Sequence, residues 1–474
     1  MAESIRTAPV RLHDKHGNST NIYATIMAPV LLSALLIALL IKANTVVVYG
    51  GIFFFFMCSI FLLIGNIFNR AVYVLFLIQF TAALFIQLSL YVTIISLLFL
   101  PLALKRDSNS NILTAPPCVK SLLLLLSGWA VSLVYASVTN NGGFKYFFIY
   151  DVFFFLGLAV AYEMFIALRL KILTPDKLIP YIALSGLVLV CVVFIKYVVD
   201  GIPFSMILKD RLGSPVKINP NIMTGYLDIT LPCAFFTAFF EKKNLVKKAL
   251  FYLLSMVIVC AILLAASRGS LPGIVILFAY FIWRKRSKRL ILYVMIFAVP
   301  VILTLGSTLI ARMTNPTVAD ILSNMGRVEM LHSALKILKE NNYFFGIGMN
   351  NFSQMKFSYG FPYWFDTKRV MSSHNFFVEI WLGWGLLGLL GWLSVNASIV
   401  LSVLRKHKDN SAANAAAFAI IAFSVHGFMD SFCANYSMMF VYFSLMGIAL
   451  FSMKEGHAAS PDSQTMQDNK NSAQ

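Results

Sequence analysis

The sequence predicts an all-α polytopic membrane protein with about 14 (12–14) transmembrane helices and one large non-cytoplasmic loop that contains an amphipathic helix. Three observations predict this class. Of 474 residues, 59% are hydrophobic and only 12% charged. Apolar runs repeatedly approach or exceed the roughly 18 residues needed to cross a bilayer. The basic residues collect in clusters at the ends of those runs, as they do in cytoplasmic loops that fix orientation. The same clusters explain most of the net charge of +18, from 38 Lys plus Arg against 20 Asp plus Glu, without a nucleic-acid partner. The six cysteines (Cys58, Cys118, Cys191, Cys233, Cys260, Cys433) are scattered and form no CxxC pair, so they predict neither a disulfide framework nor a zinc site.

Residues 1–21 read as a cytoplasmic N-terminal segment. They carry Arg6, Arg11, Lys15 and two histidines without a small-residue cleavage site, so the next apolar run is an uncleaved first span. Spans are expected at 22–41, 46–64, 71–87, 88–104, 121–138, 147–168, 179–199, 221–240, 249–266, 270–283 and 290–308, then at 377–404, 412–431 and 436–453. The run 71–104 is split because a single helix would be about 50 Å long against a hydrocarbon core of about 30 Å. With the split, every basic cluster falls on one side, from Lys105/Arg106 through Lys242/Lys243 and Arg284–Arg289 to Arg405/Lys406, and both termini are cytoplasmic. Eleven spans thus occupy 22–308, a large loop 309–376, three spans 377–453, and a polar, disordered tail 454–474.

In the loop, Gly326–Asn341 has Val328, Leu331, Leu335 and Leu338 at helical spacing, with Glu329, His332, Lys336 and Glu340 opposite. That pattern predicts a helix lying flat on the membrane or on the bundle. Phe344–Phe352 follows as a glycine-punctuated loop containing Gly346 and Gly348.

Topology leaves three histidines with access to the non-cytoplasmic face. His332 belongs to a solvated stripe. His426 lies in an apolar run near Asp430 and reads either as an intramembrane functional pair or as a packed polar contact between helices. His374 stands in Ser372-Ser373-His374-Asn375 at the mouth of the span 377–404. A serine N-cap there would place the imidazole in the first helical turn, where the dipole disfavours imidazolium and leaves a ring able to accept a proton. An interfacial anchor is the alternative.

Three arginines stand on the same face. Arg268 occupies a tight turn, Ser267-Arg268-Gly269, between two short apolar runs and needs either an anionic ligand or a protein carboxylate. Arg327 opens the loop helix, and Arg211 lies in the shorter segment 200–220. Either could be an ordinary surface charge, but guanidinium forks converging on one membrane face suit a lipid diphosphate. The loops carry no DxD pair, HExxH helix, GxSxG elbow or Walker loop, so neither a metal nor a cofactor is expected.

Four ordered landmarks resemble the O-antigen ligase and polymerase superfamily, membrane glycosyltransferases that use undecaprenyl-diphosphate-linked glycans. They are Asn219-Pro220-Asn221 with Thr224-Gly225-Tyr226-Leu227; Ser267-Arg268-Gly269; Gly326-Arg327 with the loop helix and Phe345-Gly346-Ile347-Gly348; and Ser373-His374-Asn375 leading to Gly385-Leu386-Leu387-Gly388. Ser424-Val425-His426-Gly427 with Asp430 is a weaker fifth.

The resemblance implies an inverting, metal-independent transfer at the periplasmic face of a bacterial inner membrane. His374, Arg327 and Arg268 resemble the catalytic residues, and Arg211, Asn375, Gly346 and Gly348 fall in the substrate-binding region. The donor would be an undecaprenyl-diphosphate-linked glycan, and the acceptor lipid A core for a ligase or a second lipid-linked glycan for a polymerase, with membrane lipids as the surroundings. Protein O-glycosylation is disfavoured by the lack of an added periplasmic C-terminal domain. A lipid-linked sugar transporter or flippase is the alternative of another class, and it predicts ionisable residues spread along the middle of several spans.

Overall fold

The computed structural model describes residues 118–139, 144–169, 171, 173–216, 218–285, 318–341, 343–349, 351–362, 372–432 and 435–458. The spans expected before residue 105 and at 290–308 lie outside these, as do residues 363–371 and the tail. Twelve helices are described: α1 (Val119–Thr139), α2 (Phe144–Arg169), α3 (Pro175–Val199), α4 (Ser205–Lys209), α5 (Pro220–Phe240), α6 (Leu245–Leu264), α7 (Leu271–Lys285), α8 (Val318–Asn341), α9 (Phe352–Met355), α10 (Phe376–Lys406), α11 (Ser411–Gly427) and α12 (Tyr436–Ala458).

By length and composition α1, α3, α5, α6 and α10 can each cross a membrane, while α7, α11 and most of α12 are shorter apolar helices. The protein is thus an all-helical, multi-pass membrane protein. Of the ten spans expected between 121 and 453, the nine within the described residues each coincide with one of these helices, their ends shifted by a few residues.

Helix α5 is the axis of the bundle. From Met223 to Ala238 every residue is buried, because α3, α6 and α11 pack around it. Helix α12 lies along α2, and α10 lies along α1. The last pairing is close because small residues face each other. A Cβ on Gly391 would meet the backbone of Leu125, and one on Gly128 would meet that of Gly388.

Helix α10 is broken at Gly385, whose φ of 68° and ψ of −173° are essentially restricted to glycine. The loop after α8 repairs the break. Ile347 N donates to Leu382 O at 2.6 Å, Gly348 N donates to Gly383 O at 3.1 Å, and Leu386 N donates to Tyr343 O at 3.1 Å. Ser132 Oγ of α1 adds a bond to Gly383 O at 2.5 Å. The groups freed by the kink are therefore satisfied, as a span interior requires.

The loop helix differs from expectation. It begins at Val318 and buries Met330, Ala334, Ile337 and Leu338 against Ile347, Phe352, Phe361 and Leu382. Of the four apolar residues expected to form its packed face, only Leu338 is buried; Val328 is 64% exposed, and Leu331 and Leu335 are exposed too. The helix has two apolar sides, and the shape of the loop core selects the one carrying the small Ala334.

Candidate functional site

The site forms where three helix ends meet, and each end is shaped by its own sequence. At the start of α5, Asn219 is the N-cap: its side chain accepts from Asn221 N and Ile222 N, and Pro220 supplies a first-turn residue that needs no donor. Asn221 is left projecting. Its Nδ2 donates to Asp430 Oδ2 at 2.9 Å, and its Oδ1 accepts from Arg211 Nη2 at 2.6 Å. Arg211 Nε also donates to Ala265 O at 2.8 Å, which ties the end of α6 to the start of α5.

At the end of α11 the chain turns at His426, whose carbonyl accepts from Met429 N at 2.8 Å and Asp430 N at 3.2 Å. The turn delivers Asp430 to the centre of the site, where its side chain is only 11% exposed. His374 Nδ1 lies 2.9 Å from Asp430 Oδ1, and Arg327 Nη2 lies 3.8 Å from Asp430 Oδ2. Burial pushes the Asp430 carboxyl up. The hydrogen bond and charge of His374 and the charge of Arg327 outweigh burial and hold it below the usual carboxylate range. An ionised carboxylate only accepts, so Nδ1 of His374 is the donor, and in the neutral form of the ring Nε2 carries the lone pair.

The start of α10 corrects the expectation for His374. The N-cap is Asn375, whose Oδ1 accepts from Phe377 N and Val378 N at 3.0 Å, so His374 precedes the helix instead of opening it. It adopts a left-handed backbone with φ of 52°, uncommon for a residue with a Cβ. The bend is pinned on both sides. Ser373 donates through N and Oγ to the buried Glu379 at 2.9 Å each, and Asn375 Nδ2 donates to Phe428 O at 3.1 Å. The imidazole is thus oriented by a carboxylate and a fixed bend rather than by the helix dipole.

The predicted arginines divide by what their donors do. Arg327 is 32% exposed and touches Asp430 at ion-pair distance only. Arg268 is exposed, in a turn whose preceding residue, Ala266, is also left-handed with φ of 49°. Neither makes a hydrogen bond to a described residue. Arg211 instead has two donors engaged with the protein. Asn375 likewise has both ends of its amide engaged in capping and in the bond to Phe428 O. Gly346 and Gly348 are buried at the α10 break, where a Cβ on Gly346 would fall 2.6 Å from Gly385 N. The structure therefore brings His374, Arg327 and, through Asn221, Arg211 around Asp430, and places the two glycines in the wall that holds α10.

Asp430, Glu379 and Asn221 were under-read in the sequence. Each carried a signal: an acid four residues after His426, an acid five after His374, and an amide beside a helix-opening proline. Behind the site lies a second pair, in which His426 Nδ1 is 2.6 Å from Asp228 Oδ2 and both side chains are 1% exposed. Asp151 and Glu163 are also buried within α2, Asp151 accepting from Trp384 Nε1 at 2.7 Å. Ionisable groups therefore also lie away from the site, buried within α2 and α5.

Residues 250–393 match the Wzy_C family, described as O-antigen ligase, so the resemblance read from the landmarks is shown at the level of that family domain. The chain is also 26% identical over 258 residues to the teichuronic acid biosynthesis protein TuaE of Bacillus subtilis (strain 168). The match covers 50% of this chain and 52% of that protein, so it spans about half the length of each.

Proposed function

Starting from the Wzy_C domain of residues 250–393, we propose that the chain is an inverting glycosyltransferase that moves a glycan from undecaprenyl diphosphate to lipid A core at the periplasmic face. The observation that carries the proposal is the His374–Asp430 contact at 2.9 Å with Arg327 3.8 Å from the same carboxylate. His374 Nε2 takes the proton of the acceptor hydroxyl, and the oxygen attacks the anomeric carbon from the face opposite the diphosphate. The carbon–oxygen bond to the diphosphate breaks, and the electron pair leaves on the phosphate. Arg268 and Arg327 bind those oxygens and absorb the growing charge. Asp430 orients the ring and stabilises the imidazolium that forms. A diphosphate is already a good leaving group, so the scheme calls on no metal.

A second reading within the same chemistry takes another lipid-linked glycan as acceptor, which makes the protein a polymerase. The match to a protein named for teichuronic acid biosynthesis favours it. The transporter reading draws on the buried Asp151, Glu163 and Asp228, but Asp151 is hydrogen-bonded to Trp384 and Asp228 to His426. Purified protein in lipid nanodiscs, supplied with undecaprenyl-diphosphate-linked glycan and either lipid A core or donor alone, separates the readings. Product on lipid A core supports the ligase, and lengthened lipid-linked glycan supports the polymerase. Absence of both products overturns the proposal.

A further inference from the structure

The buried pair behind the site has a geometry that simple helix packing does not require. The imidazole of His426 makes three polar contacts at once, to α5 and to the turn before α7. Asp228 Oδ2 of α5 lies 2.6 Å from Nδ1, Ser270 Oγ lies 3.1 Å from Nδ1, and Ser267 Oγ lies 3.4 Å from Nε2. Gly269 completes the fit, because a Cβ there would sit 2.8 Å from His426 Nε2, and Phe432 covers the ring edge-on at 4.9 Å. Every partner is buried: Ser267 is 3% exposed and Ser270 1%.

These contacts explain the composition of the Ser267-Arg268-Gly269-Ser270 turn. Both serines and the glycine face inward onto one imidazole, and the residue left facing outward is Arg268. The same residue, His426, uses its carbonyl to hold Asp430 N at 3.2 Å. One ring therefore stands between the arginine turn and the carboxylate that orients His374. Asp228 lies two turns along α5 from Asn221, which holds the other oxygen of Asp430.

We propose that His426, held by Asp228, Ser267 and Ser270, is a positioning residue of the transfer site: it sets where Arg268 and Asp430 stand and touches no substrate itself. The inference rests on the transfer reading above and adds to it the groups that align its charges. A catalytic arrangement displaced by about 1 Å can lose on the order of 100-fold in rate, so a coupling of this kind is measurable.

The test compares wild-type protein, Asp228→Asn, the double variant Ser267→Ala/Ser270→Ala, and that double variant combined with Arg268→Ala, all in nanodiscs. Rates are taken per folded molecule, with folding checked by size-exclusion profile and Tm. Asp228→Asn and the double serine variant are expected to lower kcat about 10-fold or more at near-wild-type Tm. In the Arg268→Ala background the serine changes should cost less than in wild type, because the part of their effect that acts through Arg268 is then gone. Wild-type turnover in both Asp228→Asn and the serine variant overturns the proposal, as does a full multiplicative loss in the Arg268→Ala background.

His426→Gln is not relied on, since it leaves Asp228 buried without its partner. A readout independent of activity is the rate at which the thiol of Arg268→Cys reacts with a water-soluble maleimide. A several-fold change on adding Ser267→Ala/Ser270→Ala supports the positioning role, and an unchanged rate overturns it. If wild-type protein transfers no glycan, the function reading fails, and the labelling rates still decide the positioning.

Discussion

Two histidine–aspartate pairs lie within a few residues of one another in this fold, and their surroundings give them different work. His374 and Asp430 are 31% and 11% exposed, meet at 2.9 Å, and stand beside Arg327. His426 and Asp228 are each 1% exposed, meet at 2.6 Å, and are enclosed by two serines, a glycine and a phenylalanine. An imidazole needs one nitrogen held and the other reachable to move a proton. The first pair meets that condition, and the second has both nitrogens occupied. The proposed base is thus the less buried of the two histidines.

The sharpest way to break the comparison is to remove the open imidazole. His374→Ala is expected to lower transfer by about 10²–10⁴-fold, the range for loss of a general base, with little change in Tm because the ring lies at the surface of the site. Initial rates in the nanodisc assay check it. Near-wild-type transfer would end the assignment of His374 as base and move attention to the enclosed pair.

Asp430→Asn comes next. An amide can hold the ring in place but cannot stabilise imidazolium, so a loss of about 10²-fold is expected, in kcat more than in donor KM. The pH dependence of stability follows from the same group. Its carboxyl is depressed when folded, so the stabilisation it provides is present above the unfolded carboxylate pKa of about 4 and is lost as pH falls through the lower folded value. The Tm difference between wild type and Asp430→Asn should therefore not shrink from pH 8 to pH 5, and should disappear only in stronger acid. Thermal unfolding across that range tests the sign.

Arg268→Lys asks whether the outward residue of the clamped turn reads phosphate by shape or by charge alone. Lysine keeps the charge and loses the planar fork, so a loss of about 10-fold or more is expected, seen in donor KM and kcat together. Unchanged kinetics would leave only a diffuse electrostatic role for the turn.

Much of this was readable before any coordinates. Apolar length and basic clusters located nine helices because in a bilayer those two properties alone decide where a helix can sit. His374 and Arg327, singled out as polar residues on one membrane face, do come together at Asp430. What the sequence does not show is which groups are already engaged. Arg211 looks like Arg268 in one dimension, yet its donors hold Asn221 and Ala265. The loop helix has two plausible apolar faces, and only the shape of Ile347, Phe352 and Phe361 decides which is buried. Asp430 reads in one dimension as a companion of His426, because its actual side-chain partners, 56 and 209 residues away, come together only through the bundle.

The smallest expected effect tests the rim of the open pair. Asn221 Nδ2 reaches Asp430 Oδ2 at 2.9 Å from a partly exposed position, while Arg211 holds the other end of the amide at 2.6 Å. Removing the amide in Asn221→Ala takes one hydrogen bond from a carboxylate that keeps His374 and Arg327, and water can enter the vacated place. Transfer should fall only a few-fold, with Asp430 less firmly oriented. Asp228→Asn, two turns deeper on the same helix, should cost more although it lies farther from the reacting atoms. If Asn221→Ala proves the more damaging of the two, alignment of the site comes from the Arg211–Asn221 bridge at its surface, and the enclosed histidine is packing.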